Sequence, residues 1–359
     1  MKRKVAIIGT QGVPANYGGF ETLVENMIGE NASPDIEYTV FCSSKDMPQN
    51  LTEYKGAELR YVPLHANGMQ SIPYDIISLF KAARAADVLL VLGVSGCLVL
   101  PLFRLFCKKR LVINIDGLEH RRAKWGKLAR WILKTSEAMA VKYADVIISD
   151  NKGIQDYVTE TYSRESELIA YGGDHVLCDM TKERQQEILE TMGLRTSEYC
   201  FTVCRIEPEN NCHIILQSFA ETGKKLLFVG NWNRSPYGQQ LKETYSAYPN
   251  ITISDPIYDL QVLYALRNNC HAYMHGHSAG GTNPSLVEAM FFGVPIVAFD
   301  VVYNRESTGN KALYFSDVEE LNRIVQSSEI SQTIGQAMLE HAQSNYRWET
   351  IAKQYERLY

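Results

Sequence analysis

The stretch His275–Asp300, HGHSAGGTNPSLVEAMFFGVPIVAFD, constrains the fold more than any other in the chain. A loop of small and polar residues, His275–Pro284, runs into Ser285–Phe292, where Leu286, Val287 and Met290 share a helical face. Gly293-Val294-Pro295 stops that helix, and Ile296–Phe299 reads as a buried strand. Loop, short helix and strand make one corner of an α/β layer. A glycine-rich turn feeding a helix start leaves backbone N–H groups facing outward, which suits an anion. Gly280 and Gly281 let the backbone approach a ligand closely. Glu288 lies about one turn further on and offers two acceptor oxygens suited to sugar hydroxyls.

With 359 residues the chain is expected to form two domains. A net charge of −5 provides no global basic field, so nucleic acid is not an expected partner. MKRKVAIIG reads as a first strand rather than a leader, because the apolar run is short and Gly9 opens a polar loop. The eight cysteines lack paired CxxC spacing, and Cys204, Cys212 and His213 do not assemble a zinc set. Free thiols in a reducing cytoplasm are the expectation. Val88–Phe103 is nearly all apolar but too short to span a bilayer and broken by Gly93, Gly96 and Pro101. It divides into a strand, Val88–Leu92, a turn and a helix start.

Strands read at Lys4–Gly9, Tyr38–Cys42, Leu59–Val62, Val88–Leu92, Leu111–Ile115 and Val146–Ser149, with helices between several of them. This alternation predicts a parallel sheet covered on both faces, with ligands beyond the carboxyl ends of its strands. Those ends are Gly9–Gly19, His65–Met69, Gly93–Gly96 and Asp116–His120. The first loop lacks GxGxxG, since Gly9 and Gly12 are wrongly spaced and Pro14 intervenes, so a nicotinamide site is not supported. In Asp116-Gly117-Leu118-Glu119-His120, two carboxylates and an imidazole could orient an acceptor hydroxyl or take its proton; the bland reading makes Asp116 a turn cap and Glu119 a solvated side chain. A basic run follows from Arg104 to Lys134, through Lys108, Lys109, Arg110, Arg121, Arg122, Lys124, Lys127 and Arg130, with Trp125 and Trp131 interleaved. In an acidic protein it suggests peripheral contact with an anionic membrane or a lipid-diphosphate acceptor, against a solvated basic helix; RNA is a third option, but no RNA-binding motif accompanies the charges.

A second strand series opens at Tyr199–Cys204 and ends in Arg205-Ile206-Glu207-Pro208-Glu209-Asn210. An arginine at a strand end beside a crevice is a good diphosphate ligand, because its fork matches phosphate oxygens. The alternative is a surface ion pair with Glu207 or Glu209.

Glu288-Ala289-Met290 and Gly293-Val294-Pro295 resemble the donor-binding signature of glycosyltransferase family 4. HGHSAGGTNPSLVEAM resembles the subgroup that includes rhamnosyltransferases of bacterial surface polysaccharides. The resemblance extends over nearly the whole chain. It implies an α/β protein of GT-B architecture, two Rossmann-like doubly wound domains facing a central cleft. The expected divisions are an acceptor domain over 1–175, a nucleotide-sugar domain over 176–345, and a C-terminal helix, 346–359, crossing back to the first domain. Donor contacts carry over to Arg205, Asn210, Tyr258, His277, Gly280, Gly281, Thr282, Asn283 and Glu288. Asp116, Glu119 and Arg205 become the catalytic candidates. The string GTQGVPANYGGFE matches the subgroup's cleft loop and adds Gly12, Tyr17, Gly18 and Gly19, with Gly18 and Gly19 on phosphate or acceptor. Two positions depart from the family. Its first Glu falls on Gly280, leaving His277 or Asn283 as substitutes, and its Lys falls on Asn210. The resemblance implies sugar transfer with retention from a nucleoside-diphosphate sugar, dTDP-rhamnose in that subgroup, to a glycan or lipid-linked acceptor. No DxD pair is present, so no metal and no separate cofactor are expected. The expected location is cytoplasmic, at the inner face of the membrane. A sugar-nucleotide 2-epimerase of the same architecture and a non-catalytic binding subunit are the alternatives.

Overall fold

A computed structural model describes residues 2–15, 18–29, 32–47, 51–121 and 126–359, with Arg121 described by its backbone alone. The expected site residue Tyr17, and Arg122, Lys124 and Trp125 of the basic run, lie outside the described residues.

The chain divides into two compact units, Met1–Tyr171 with Trp348–Tyr359, and Gly172–Arg347. The first is built on eight strands: β1 (Arg3–Ile8), β2 (Ile36–Ser43), β3 (Glu53–Tyr54), β4 (Ala57–Val62), β5 (Val88–Leu92), β6 (Arg110–Asn114), β7 (Val146–Ser149) and β8 (Glu167–Leu168). Their order is β3-β4-β2-β1-β5-β6-β7-β8, parallel throughout except for the β3–β4 hairpin. The central strands are continuous apolar runs because helices cover both faces; all five residues of β5 are buried. The apolar stretch after β5 turns at Gly93–Gly96 and continues as the helix Leu100–Phe106. No helix among the described residues is long and apolar enough to cross a membrane.

The second unit carries β9 (Cys200–Val203), β10 (Leu226–Val229), β11 (Ile251–Ser254), β12 (Ala272–His275), β13 (Ile296–Phe299) and β14 (Leu313–Phe315). Their order, β11-β10-β9-β12-β13-β14, is parallel throughout. Strand order therefore reverses between β9 and β12, and between β1 and β5 in the first sheet. In doubly wound sheets the crevice at such a reversal receives the ligand.

The helix Trp348–Glu356 belongs to the first unit, where its Tyr355 and Trp348 are buried in the core. Tyr355 Oη accepts from Asn114 Nδ2 at 2.7 Å, and Glu356 accepts from the Ser33 N–H at 2.7 Å. Arg110 Nε reaches the Leu358 carbonyl at 2.5 Å, so this member of the basic run fastens the chain end.

Candidate functional site

At the reversal in the second sheet, the loops after β9 and β12 are bonded into one surface. The Ser278 N–H and Oγ both donate to the Glu209 carbonyl, at 2.8 and 2.9 Å. Asn211 Nδ2 donates to the Gly276 carbonyl at 2.9 Å. Gly276 is glycine because a side chain there would collide with the Asn210 carbonyl. The two segments that sequence reading treats separately, Arg205–Asn211 and His275–Asn283, are therefore neighbours.

Asn210 is 3% exposed and works in both directions. Its Nδ2 donates to the Arg205 carbonyl at 2.6 Å, and its Oδ1 lies 2.6 Å from His277 Nδ1. With the amide nitrogen spent on a carbonyl, Oδ1 is the acceptor, so His277 carries its proton on Nδ1 and presents Nε2 as an acceptor. Nε2 lies 3.6 Å from where a Cβ on Gly280 would sit. Gly280 has φ +101°, a conformation that strains any side chain, so the family's first Glu does not fit this backbone. The two departures from the family pattern, Asn210 and Gly280, thus meet at His277. Of the two substitutes left open by the sequence, Asn283 is committed elsewhere: its Oδ1 accepts from the Ser285 N–H at 3.0 Å and Oγ at 2.8 Å, capping the helix Pro284–Met290. Behind them His275 is buried, and that burial holds it well below the usual imidazole range.

Arg205 follows β9 and is one-third exposed; Glu207 lies at 4.0 Å, beyond hydrogen-bond reach. The ion pair with Glu207 is therefore a loose one, with no hydrogen bond in it, and leaves the fork suited to an incoming anion. Gly281 and Thr282 are buried on the loop beside it. The helix they lead into, Pro284–Met290, has seven residues.

Glu288 is not a solvated carboxylate. Arg267, 5% exposed at its side chain, reaches Oε2 at 2.5 Å, and His175 Nε2 stands 3.6 Å from Oε1. Sequence reading missed both partners. They come from the helix Leu260–Asn268 and the turn Asp174–Val176, and no spacing in the chain advertises the encounter. Tyr258 is placed differently from the rest. It is 69% exposed on the loop after β11, the edge strand two places from β9, and no described bond joins it to the Arg205 cluster. Trp232, after β10, is fully buried with its N–H on the Ser254 carbonyl at 2.9 Å, and is core.

In the first unit, Asp116 follows β6 with φ +61°, a left-handed conformation that Asp tolerates. Its N–H donates to Asn114 Oδ1 at 2.9 Å while Asn114 holds Tyr355, so the C-terminal helix braces this loop. Glu119 opens the short turn Glu119–Arg121. His120 Nδ1 lies 2.9 Å from Oε2 of Glu137, a 3%-exposed carboxylate that also accepts from Tyr157 at 2.6 Å, Tyr162 at 2.7 Å and Lys134 at 3.2 Å. Burial raises the Glu137 carboxyl, but hydrogen bonds from His120, Tyr157 and Tyr162 and the His120 charge outweigh it, bringing it down to about 2. Lys134 is spent here, and Arg104 is spent on the Tyr143 carbonyl at 2.8 Å and Asp145 at 2.8 Å. Both ends of the expected basic surface are internal fasteners.

The Gly9–Gly19 loop is partly filled by its own chain. Glu21 accepts from Thr10 Oγ1 at 2.9 Å and the Gln11 N–H at 2.7 Å, and Glu25 accepts from the Ala15 N–H at 2.6 Å. Gly12 (φ +128°) and Gly18 (φ +139°) permit this fold-back, and a Cβ on Gly18 would strike the Glu21 carboxylate. The Gln11 and Ala15 amides are thus already taken by carboxylates of the following helix.

Residues 2–174 match a family described as a domain of unknown function, DUF1972. No curated protein matches the sequence. Solved structures are similar over nearly the full length. A sucrose-phosphate synthase from Thermosynechococcus elongatus is 17% identical, with TM-score 0.80 over 100% of this chain and 98% of that one. Anabaena HepE in complex with UDP is 14% identical, with TM-score 0.77 over 99% and 98%. A glycosyltransferase from Rickettsia africae is 10% identical, with TM-score 0.73 over 99% and 97%. The chain has the GT-B fold of two Rossmann-like parallel-sheet units.

Proposed function

We propose that the protein is a glycosyltransferase that takes a sugar from a nucleoside-diphosphate donor. The observation that carries this reading is the bonded surface at the β9/β12 reversal, where Arg205, the Asn210–His277 pair and the glycine loop adjoin. HepE, which shares the fold, has been solved with UDP, with UDP and glucose, and with UDP-glucose.

In this reading Arg205 and the amides at Gly281–Asn283 hold the diphosphate and stabilise its charge as it leaves. Glu288, held in place by Arg267, accepts ribose hydroxyls. His277 Nε2 accepts a hydroxyl of the transferred sugar, in the space that Gly280 leaves open. Asp116 and Glu119 orient the acceptor, a glycan or a lipid-linked sugar. Cations and N–H groups do what a metal does elsewhere, and transfer proceeds with retention. The resemblance of the donor string favours dTDP-rhamnose and a role in surface polysaccharide synthesis.

A panel of nucleoside diphosphates and their sugars, read by thermal shift and followed by transfer assays, tests this, since a ligand that binds only the folded state raises the melting temperature. Stabilisation by a nucleotide sugar that Arg205→Ala abolishes supports it. No shift with any donor sinks it, and conversion of the donor to its epimer without acceptor replaces it with an isomerase.

A further inference from the structure

Of the fifteen large hydrophobic side chains exposed among the described residues, eight fall between Ile77 and Trp131. They are ordered by helical periodicity. Ile77 and Phe80 lie on the outer face of the helix Ser71–Ala82, and Leu102, Leu105 and Phe106 on the outer face of Leu100–Phe106. Trp131 lies on the outer face of Lys127–Tyr143. An edge-to-face contact of Phe80 with Phe103 at 5.3 Å joins the first two helices, and Arg104 on the Tyr143 carbonyl joins the second to the third. Leu105 is 75% exposed, Phe106 78% and Trp131 66%, far more than scattered surface apolar residues require.

The charge around them is one-sided. Between residues 77 and 134 the sequence holds twelve Lys and Arg against three Asp and Glu, in a protein of net charge −5. Although Arg104, Arg110 and Lys134 are tied internally, Lys81, Arg84, Lys108 and Lys127 remain exposed around the apolar tips. Beneath Phe106 lies a groove of about 460 Å³, walled by Phe80 and Phe103 and rimmed by Arg84, Lys108 and Lys109.

We propose that this three-helix face docks on an anionic phospholipid bilayer. Leu105, Phe106 and Trp131 enter the headgroup boundary, while the cations meet lipid phosphates, with the Arg84–Lys109 groove taking one headgroup. Charge decides between this occupant and a second copy of the chain, because two such faces would oppose like-charged rims.

Co-sedimentation of the full chain with vesicles of phosphatidylglycerol and phosphatidylcholine tests the surface, and is read without any nucleotide sugar, so its outcome is separate from that of the transferase reading. The chain is expected to pellet with mixed vesicles, and to pellet less with phosphatidylcholine alone or at high salt. Leu105→Ser with Phe106→Ser, or Arg84→Glu with Lys108→Glu, should each weaken partition by at least roughly ten-fold, while Tyr248→Ser in the second unit should not. All four positions are solvent-facing, so unchanged melting temperatures check that the variants fold. A wild-type chain that stays in the supernatant, or binding indifferent to both pairs, overturns the proposal. So does concentration-dependent dimerisation lost in Leu105→Ser with Phe106→Ser while vesicles are ignored.

Discussion

At Arg205 the guanidinium has a carboxylate at 4.0 Å and nothing nearer among the described residues to hold it, whereas Arg267, at 5% exposure, is locked to Glu288 at 2.5 Å. The two arginines predict opposite mutant behaviour. Arg205→Ala should leave the free protein's melting unchanged and weaken nucleoside diphosphate and nucleotide sugar alike, by about 10–100-fold for a lost charge-assisted bond, as calorimetry would read. Glu288→Ala should instead leave Arg267 buried without a partner and destabilise the second unit by about 3–5 kcal/mol in denaturant melts, beyond any loss of nucleotide binding. His277→Ala separates sugar from nucleotide. Affinity for the nucleotide sugar should fall by about ten-fold while that for the free diphosphate changes by less than about two-fold. Equal losses for both ligands would move His277 off the sugar.

At the scale of elements, β5, β7 and β13 are found where their apolar runs and flanking turns place them, because a strand buried on both faces must be apolar along most of its length. The hairpin strand β3, two residues, and the edge strand β14, three, were not anticipated, since runs that short show no periodicity. Nor were the helices Val318–Gln326 and Gln332–Asn345, although Leu321, Ile324 and Val325 of the former share a buried face. The loops after β9 and β12 act as one element only in space. Gly276→Ala should show this: its methyl meets the Asn210 carbonyl, so the variant should lose donor binding and melt lower by about 1–3 kcal/mol, even though neither loop's own sequence changes its chemistry.

For the whole molecule, two buried carboxylates give stability opposite pH dependences. Glu137 titrates at about 2 in the fold against an ordinary 4.5, so its contribution is present above 4.5 and is lost as pH falls toward 2. Asp75 is fully buried; burial raises it from 3.8 to about 8 despite the Gly96 N–H it accepts. Its contribution is therefore full below 3.8 and is lost as pH rises through 8. Asp75→Asn should stabilise the protein at pH 7–8 by on the order of 1–3 kcal/mol and have little effect at pH 4, whereas Glu137→Gln should flatten the acid limb. Melting temperatures across pH check both.

The parallel α/β layering, the short loop–helix–strand corner at His275–Asp300 and the residue types able to hold a diphosphate could be read along the chain, because each is a local pattern of periodicity, glycine and charge. The pairing of Glu288 with Arg267, the bond from Asn210 to His277, and the engagement of Arg104 and Lys134 by groups of their own unit could not. Each joins groups distant in sequence, and a side chain's partner is set by how helices pack on the sheets rather than by its neighbours in the chain.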